Sequence, residues 1–152
     1  MSLSSLFVLL AAAASTTSTL SAPIRNCTIH AISDCAPTSS VFQIRSQYFG
    51  PDPPVAGKNV TMWIEYTVPS SVTVTGGVSQ DAVSLNGLPV STDTSDLCDS
   101  IPCPQTAGIH NATNTFEWPS GLSSGSRVVY TTKWFDTQNT LLLCSKASVT
   151  TA

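Results

Sequence analysis

The stretch "VTMWIEYTV", Val60 to Val68, alternates along its whole length: Val60, Met62, Ile64, Tyr66 and Val68 fall on one side, Thr61, Trp63, Glu65 and Thr67 on the other. A period of two marks a strand with one buried face, because successive side chains of an extended chain point to opposite sides. The same period returns in "SRVVYTTKWF", where Val128, Tyr130, Thr132 and Trp134 oppose Val129, Thr131, Lys133 and Phe135. It is weaker in "SVTVTGG" (Ser71–Gly77) and "NATNTFEW" (Asn111–Trp118). Between these runs lie turn formers: Gly50-Pro51-Asp52-Pro53-Pro54, Gly76-Gly77, Asn86-Gly87, Trp118-Pro119-Ser120-Gly121 and Asp136-Thr137-Gln138-Asn139. Beyond the first residues, no window holds an apolar helical period capped at both ends. Short strands bounded by such turns predict an all-β sandwich or barrel.

At the N-terminus, "LFVLLAAAAS" (Leu6–Ser15) is a short apolar run followed by small residues, and it reads as a secretory signal peptide spanning 1–22, with cleavage expected between 14 and 22. The run is too short to cross a bilayer as a helix. The chain beyond it is long enough for one domain with a real core. Only 10% of the residues are charged, with a net charge of -3, so no basic patch exists to hold nucleic acid or an anionic membrane. An apolar content of 41% excludes wholesale disorder. Sequons at Asn26, Asn59 and Asn111 fit an exported, glycosylated chain.

An exported chain meets an oxidising environment, so Cys98 and Cys103, with four residues between them in "DLCDSIPCPQTAG", are most simply a disulfide. A zinc site would have to recruit His110 and still lacks a fourth ligand, and a redox pair favours two intervening residues. Five cysteines leave several pairings open. "GLSSG" (Gly121–Gly125) matches the nucleophile-elbow pattern around Ser123, but a turn precedes it and a strand comes after, where the elbow needs a strand and then a helix. Asp93, Asp96 and Asp99 lack the glycine and terminal glutamate of a calcium loop. The sequence therefore calls for no catalytic residue, no metal and no cofactor.

The order of motifs adds a family. Cys35 is followed by "GPDPPVAGKNVTMWIEYTV", then "LNGLPVSTDTSDLCDSIPCPQTAG", "FEWPSG" and "RVVYTTKWFDTQNTLLLC". This order resembles the ML lipid-recognition family, which includes the Niemann-Pick type C sterol carrier, the fungal phosphatidylglycerol/phosphatidylinositol transfer proteins and a group of mite allergens. The resemblance runs from Cys35 to Val149 and implies an ML domain over 35–152 after a tail at 23–34. It implies an immunoglobulin-like β-sandwich of two antiparallel sheets with an apolar lipid cavity between them. It also implies the pairings Cys35–Cys144 and Cys98–Cys103, and leaves Cys27 without a counterpart. Leu88, Pro89 and Val90 match the segment lining the pocket mouth, with Val90 standing where the sterol carrier has an aromatic. Trp118 and Pro119 match the entrance, and Trp134 matches a strand tryptophan. Met62, Ile64, Tyr66, Val128 and Tyr130 point inward in any sandwich, as core or as cavity wall. Trp118 is expected as an exposed indole at the mouth.

The function implied is a monomeric, non-catalytic carrier of a sterol or phospholipid, secreted or held in the endolysosomal or vacuolar lumen, touching a membrane or a lipid transporter transiently. The alternatives are a secreted protein of the same fold that presents a lipid to a receptor or acts as an elicitor, and a filled adhesion-type sandwich.

Overall fold

The computed structural model describes residues 32–52 and 54–151. The signal-peptide reading, Asn26 and Cys27 lie outside the described residues. Among the described residues eight strands run in order: β1 (Ile32–Asp34), β2 (Gln43–Gly50), β3 (Asn59–Val68), β4 (Gly77–Leu85), β5 (Leu88–Asp96), β6 (Gly108–Glu117), β7 (Arg127–Asp136) and β8 (Leu141–Thr150), with one short helix, α1 (Leu97–Ser100), between β5 and β6. They form a five-stranded sheet, β1-β8-β7-β4-β5, and a three-stranded sheet, β2-β3-β6. All pairings are antiparallel. This is the immunoglobulin-like sandwich expected from the sequence.

The stretch Val60–Val68 behaves as its alternation demands. Along β3 every even-numbered residue from Val60 to Val68 is buried, and the odd-numbered residues between them are half exposed. In β7, Val128, Tyr130, Thr132 and Trp134 are buried in the same rhythm. The two rows meet across the gap, with the Tyr66 and Trp134 rings edge to face at 5.2 Å and Phe116 of β6 stacked on Tyr130 at 4.1 Å. Such pairs add about 0.5–1.5 kcal/mol each beyond the area they bury.

Two sequence expectations differ. "SVTVTGG" forms no strand of its own: Val74 makes an isolated bridge, exchanging backbone hydrogen bonds with Gln105 at 2.9 and 2.8 Å, and only Gly77 enters a strand, as the first residue of β4. β5, by contrast, is a full strand that alternation could not reveal, since all nine of its residues are exposed. Asn86-Gly87 makes the hairpin joining it to β4, with φ of 51° and 85°, the two left-handed residues that a tight hairpin turn requires. β1, within the stretch read as a tail, pairs with β8 through Ile32 and Ala147.

The strands sort the loops to two ends. At one end Cys35 bonds Cys144 and Cys98 bonds Cys103. There Asp96 caps α1 by accepting from the Cys98 N–H at 2.8 Å, while Leu97 and Ile101 plug the gap beneath. Buried Gln105 ties that loop down: its side chain accepts from the Tyr66 hydroxyl at 2.9 Å and donates to the Pro102 carbonyl. The other end carries the β4–β5 hairpin tip, the loop between β2 and β3, and the loop between β6 and β7.

Candidate functional site

The gap between the sheets is divided. A large cluster fills the stapled end, containing Phe42, Met62, Ile64, Tyr66, Leu97, Ile101, Trp134 and Leu142. A smaller one occupies the other end, where Val60, Trp118 and Val128 are ringed by Phe49, Leu85, Phe116, Leu122 and Val149. The Phe116–Tyr130 stack stands between them, braced by a polar bar in which Asn114 donates to the Tyr130 hydroxyl at 2.8 Å and to Asp81 at 3.3 Å. Thr132 donates to the same Asp81 carboxylate. Burial, and then the neighbouring Asp81 charge, hold the Tyr130 hydroxyl well above the ordinary tyrosine range, so it stays protonated. Tyr66 is pushed up to about 12 by burial.

Beside the bar lies a cavity of about 90 Å³ lined by Met62, Ile64, Ala112 and Trp134 on its apolar side and Ser79, Thr113, Asn114 and Thr132 on its polar side, with Asp99 and Ser100 of α1 at its border toward the stapled end. It is several times smaller than a pocket of roughly 300–1,000 Å³ that encloses a small molecule. A lipid-sized void between the sheets was expected, and in this conformation side chains hold most of that space.

The site residues named from sequence separate accordingly. Met62, Ile64 and Trp134 line the cavity; Tyr66 lies deeper, between Phe42 and Trp134; Tyr130 forms the partition; Val128 belongs to the small cluster. Trp118 is not exposed at a mouth: it is 2% accessible. Its N–H bonds the Lys58 carbonyl and its carbonyl accepts from Gly57, both at 2.9 Å, so the β3–β6 ladder runs past Glu117 and alternation turns residue 118 inward. Pro119, next in the chain, is half-buried.

Leu88 and Val90 are 72% and 61% exposed, with Pro89 exposed between them. Leu88 pairs with Leu85, and Leu85 with buried Val128, so the Leu88 side chain lies on the inner side of its sheet. No strand of the smaller sheet reaches that far to cover it. The inner row of β4 and β5 grades from Ser79, Ser95, Asp81 and Asp93 at the stapled end to Val83, Leu85 and Leu88 at the other. Sequence reasoning missed Asp81, Asn114 and Phe116. Asn114 and Phe116 share the parity of buried Ala112 in β6, a signal the weak alternation of "NATNTFEW" did contain.

Residues 21–151 match the family model of the ML domain. The chain belongs to the ML domain family. Among curated proteins it is similar to a phosphatidylglycerol/phosphatidylinositol transfer protein of Cryptococcus neoformans var. neoformans serotype D, found in two strains, with 29% identity over 107 residues. That alignment takes in 66% of this chain and 59% of the relative, so the chain spans little more than half the relative's length. Among solved structures it is similar to a Niemann-Pick type C2 protein from the Japanese carpenter ant, at 15% identity and a TM-score of 0.60, covering 80% of this chain and 99% of that one. The likeness extends to the fold. As an ML domain, the protein has both pairings implied by its motif order, and no helix among its described residues is long and apolar enough to cross a membrane.

Proposed function

We propose that this ML domain binds a lipid, a phospholipid ahead of a sterol, and transfers it between membranes, admitting its acyl chain at the end away from the disulfides. The observation that carries the reading is the small cluster of Val60, Trp118 and Val128 at the end away from both disulfides, where the inner row continues through Leu85 to exposed Leu88. A chain entering there displaces Trp118 and Leu122. Exposing a tryptophan of about 150–250 Å² costs roughly 4–6 kcal/mol at about 25 cal/mol per Å². Each lipid methylene buried returns about 0.8 kcal/mol, so roughly eight of them offset the opening. The names of the Cryptococcus relatives favour a phospholipid, and Val90 removes the aromatic expected of a sterol site. Carriage of this kind needs no nucleophile or base, and the chain reads as a non-catalytic monomer, secreted or held in an endolysosomal or vacuolar lumen.

A filled adhesion-type sandwich is favoured by the small cavity. Native mass spectrometry of the mature protein, with organic extraction of its ligand, separates the two. A stoichiometric phospholipid supports the carrier; an apo mass that takes up neither added phospholipid nor sterol overturns it.

A further inference from the structure

We infer that Asn111 carries an N-linked glycan whose first N-acetylglucosamine lies in a groove on the outer face of the three-stranded sheet, against the Trp63 indole. This rests on passage through the secretory route and is independent of the lipid reading.

Asn111 and Thr113 of the Asn111-Ala112-Thr113 sequon are both exposed on β6, on the face opposite to buried Ala112. Their β3 partners are Glu65 and Trp63. On β2, Tyr48 pairs with Trp63 and stacks on it at 4.8 Å with 14° between the rings. Tyr48, Trp63, Glu65, Asn111 and Ser46 thus line one groove of about 220 Å³. The modified side chain itself opens into an aromatic-walled space with room for a sugar ring.

The platform is set by the protein and not by the sugar. A Cβ on Gly50 would sit 2.8 Å from the Trp63 ring, so glycine at 50 is what lets the indole lie flat across β2. Glu65 is tied to Arg45 of β2 by an ion pair at 2.9 Å. Tyr48 is 55% exposed, and the ring pair is an apolar patch on a sheet face that is otherwise polar except for Ile109. The C–H faces of a pyranose complement an aromatic face, while its hydroxyls keep water. β6 is also an edge strand of the smaller sheet, and a bulky polar chain there blocks pairing with another molecule. Asn59, on the same face at the far end of β3 opposite Glu117, has no aromatic partner in register and serves as the internal control.

The test uses the full chain, secreted with its own leader from a glycosylating eukaryotic host. Site-resolved mass spectrometry should find Asn111 modified. Trp118 and Trp134 are buried, so acrylamide quenching of tryptophan fluorescence reports on Trp63. Trimming the glycan to its first sugar should leave quenching and melting unchanged. Complete removal, or Asn111→Gln, should raise quenching and lower the melting midpoint by roughly 2–4 °C. In Trp63→Leu the midpoint should no longer respond to removal, and Asn59→Gln should leave Trp63 quenching as it was. A secreted chain unmodified at Asn111, or a glycan whose first sugar leaves Trp63 quenching unchanged, overturns the inference.

Discussion

The two ends of the sandwich are built from the same strands and held in opposite ways. At the stapled end both disulfides, a capped helical turn and Gln105 converge on a cluster in which Phe42, Tyr66 and Trp134 touch ring to ring. At the other end three fully buried residues lie under a hairpin tip and two loops, with leucine and valine turned to water. Cross-links and dense packing resist separation of the sheets; a small cluster with half-buried neighbours yields at lower cost. On the proposed reading, the stapled end is the fixed hinge and the other end the lip through which lipid passes.

The sharpest way to break this comparison is to cut the staples. In the loop-entropy view, a separation of 109 residues makes Cys35–Cys144 worth nearly 5 kcal/mol, and a separation of 5 makes Cys98–Cys103 worth about 2. Urea unfolding of Cys35→Ala/Cys144→Ala should therefore show about twice the loss seen for Cys98→Ala/Cys103→Ala. Equal losses would mean that the long staple does not define the fixed end.

Next come the two buried tryptophans. Trp134→Ala should cost about 3–5 kcal/mol, the usual range for emptying an aromatic core position. Trp118→Ala should cost less, because its site borders loops that can collapse, and it should raise the phospholipid retained in native mass spectra. Equal costs with unchanged retention would remove the distinction between the ends.

How much of the molecule was legible in the sequence depends on where side chains face. β3 and β7 announced themselves because one of their faces meets the opposing sheet. β5 gave no sign, since nothing lies over it and its positions carry no apolar rhythm. Trp118 was misplaced because Pro119 signals a turn, whereas the backbone ladder persists through the residue before it. Met62, Ile64 and Trp134 were legible as inward, but alternation says nothing about which inward residues border a void. That depends on the Asn114–Asp81–Tyr130 bar, which joins residues from three strands.

A subtler effect separates the ends by pH. Tyr66 titrates near 12 in the folded protein against about 10 when unfolded. The unfolded chain therefore gives up the proton first, and the stability linked to Tyr66 is intact below pH 10 and lost as pH rises toward 12. Tyr66→Phe should lessen the fall in stability measured across that window, leaving the part linked to Tyr130, whose hydroxyl is raised further. A fall as steep as in the parent protein would place the alkaline weakness elsewhere.

The smallest change in stability is expected at the lip itself. Leu88→Asp/Val90→Asp alters two exposed side chains and should move the unfolding free energy by about 0.5 kcal/mol or less. That makes the pair suited to the most direct measurement of the central claim: transfer of a fluorescent phospholipid between vesicles, with Ile109→Asp at the stapled end as the matched control. Ile109 is 56% exposed, comparable to Val90. If lipid passes at the lip, the double variant should transfer roughly tenfold more slowly and Ile109→Asp at the parent rate. Equal slowing by both, or slowing by Ile109→Asp alone, would contradict the account.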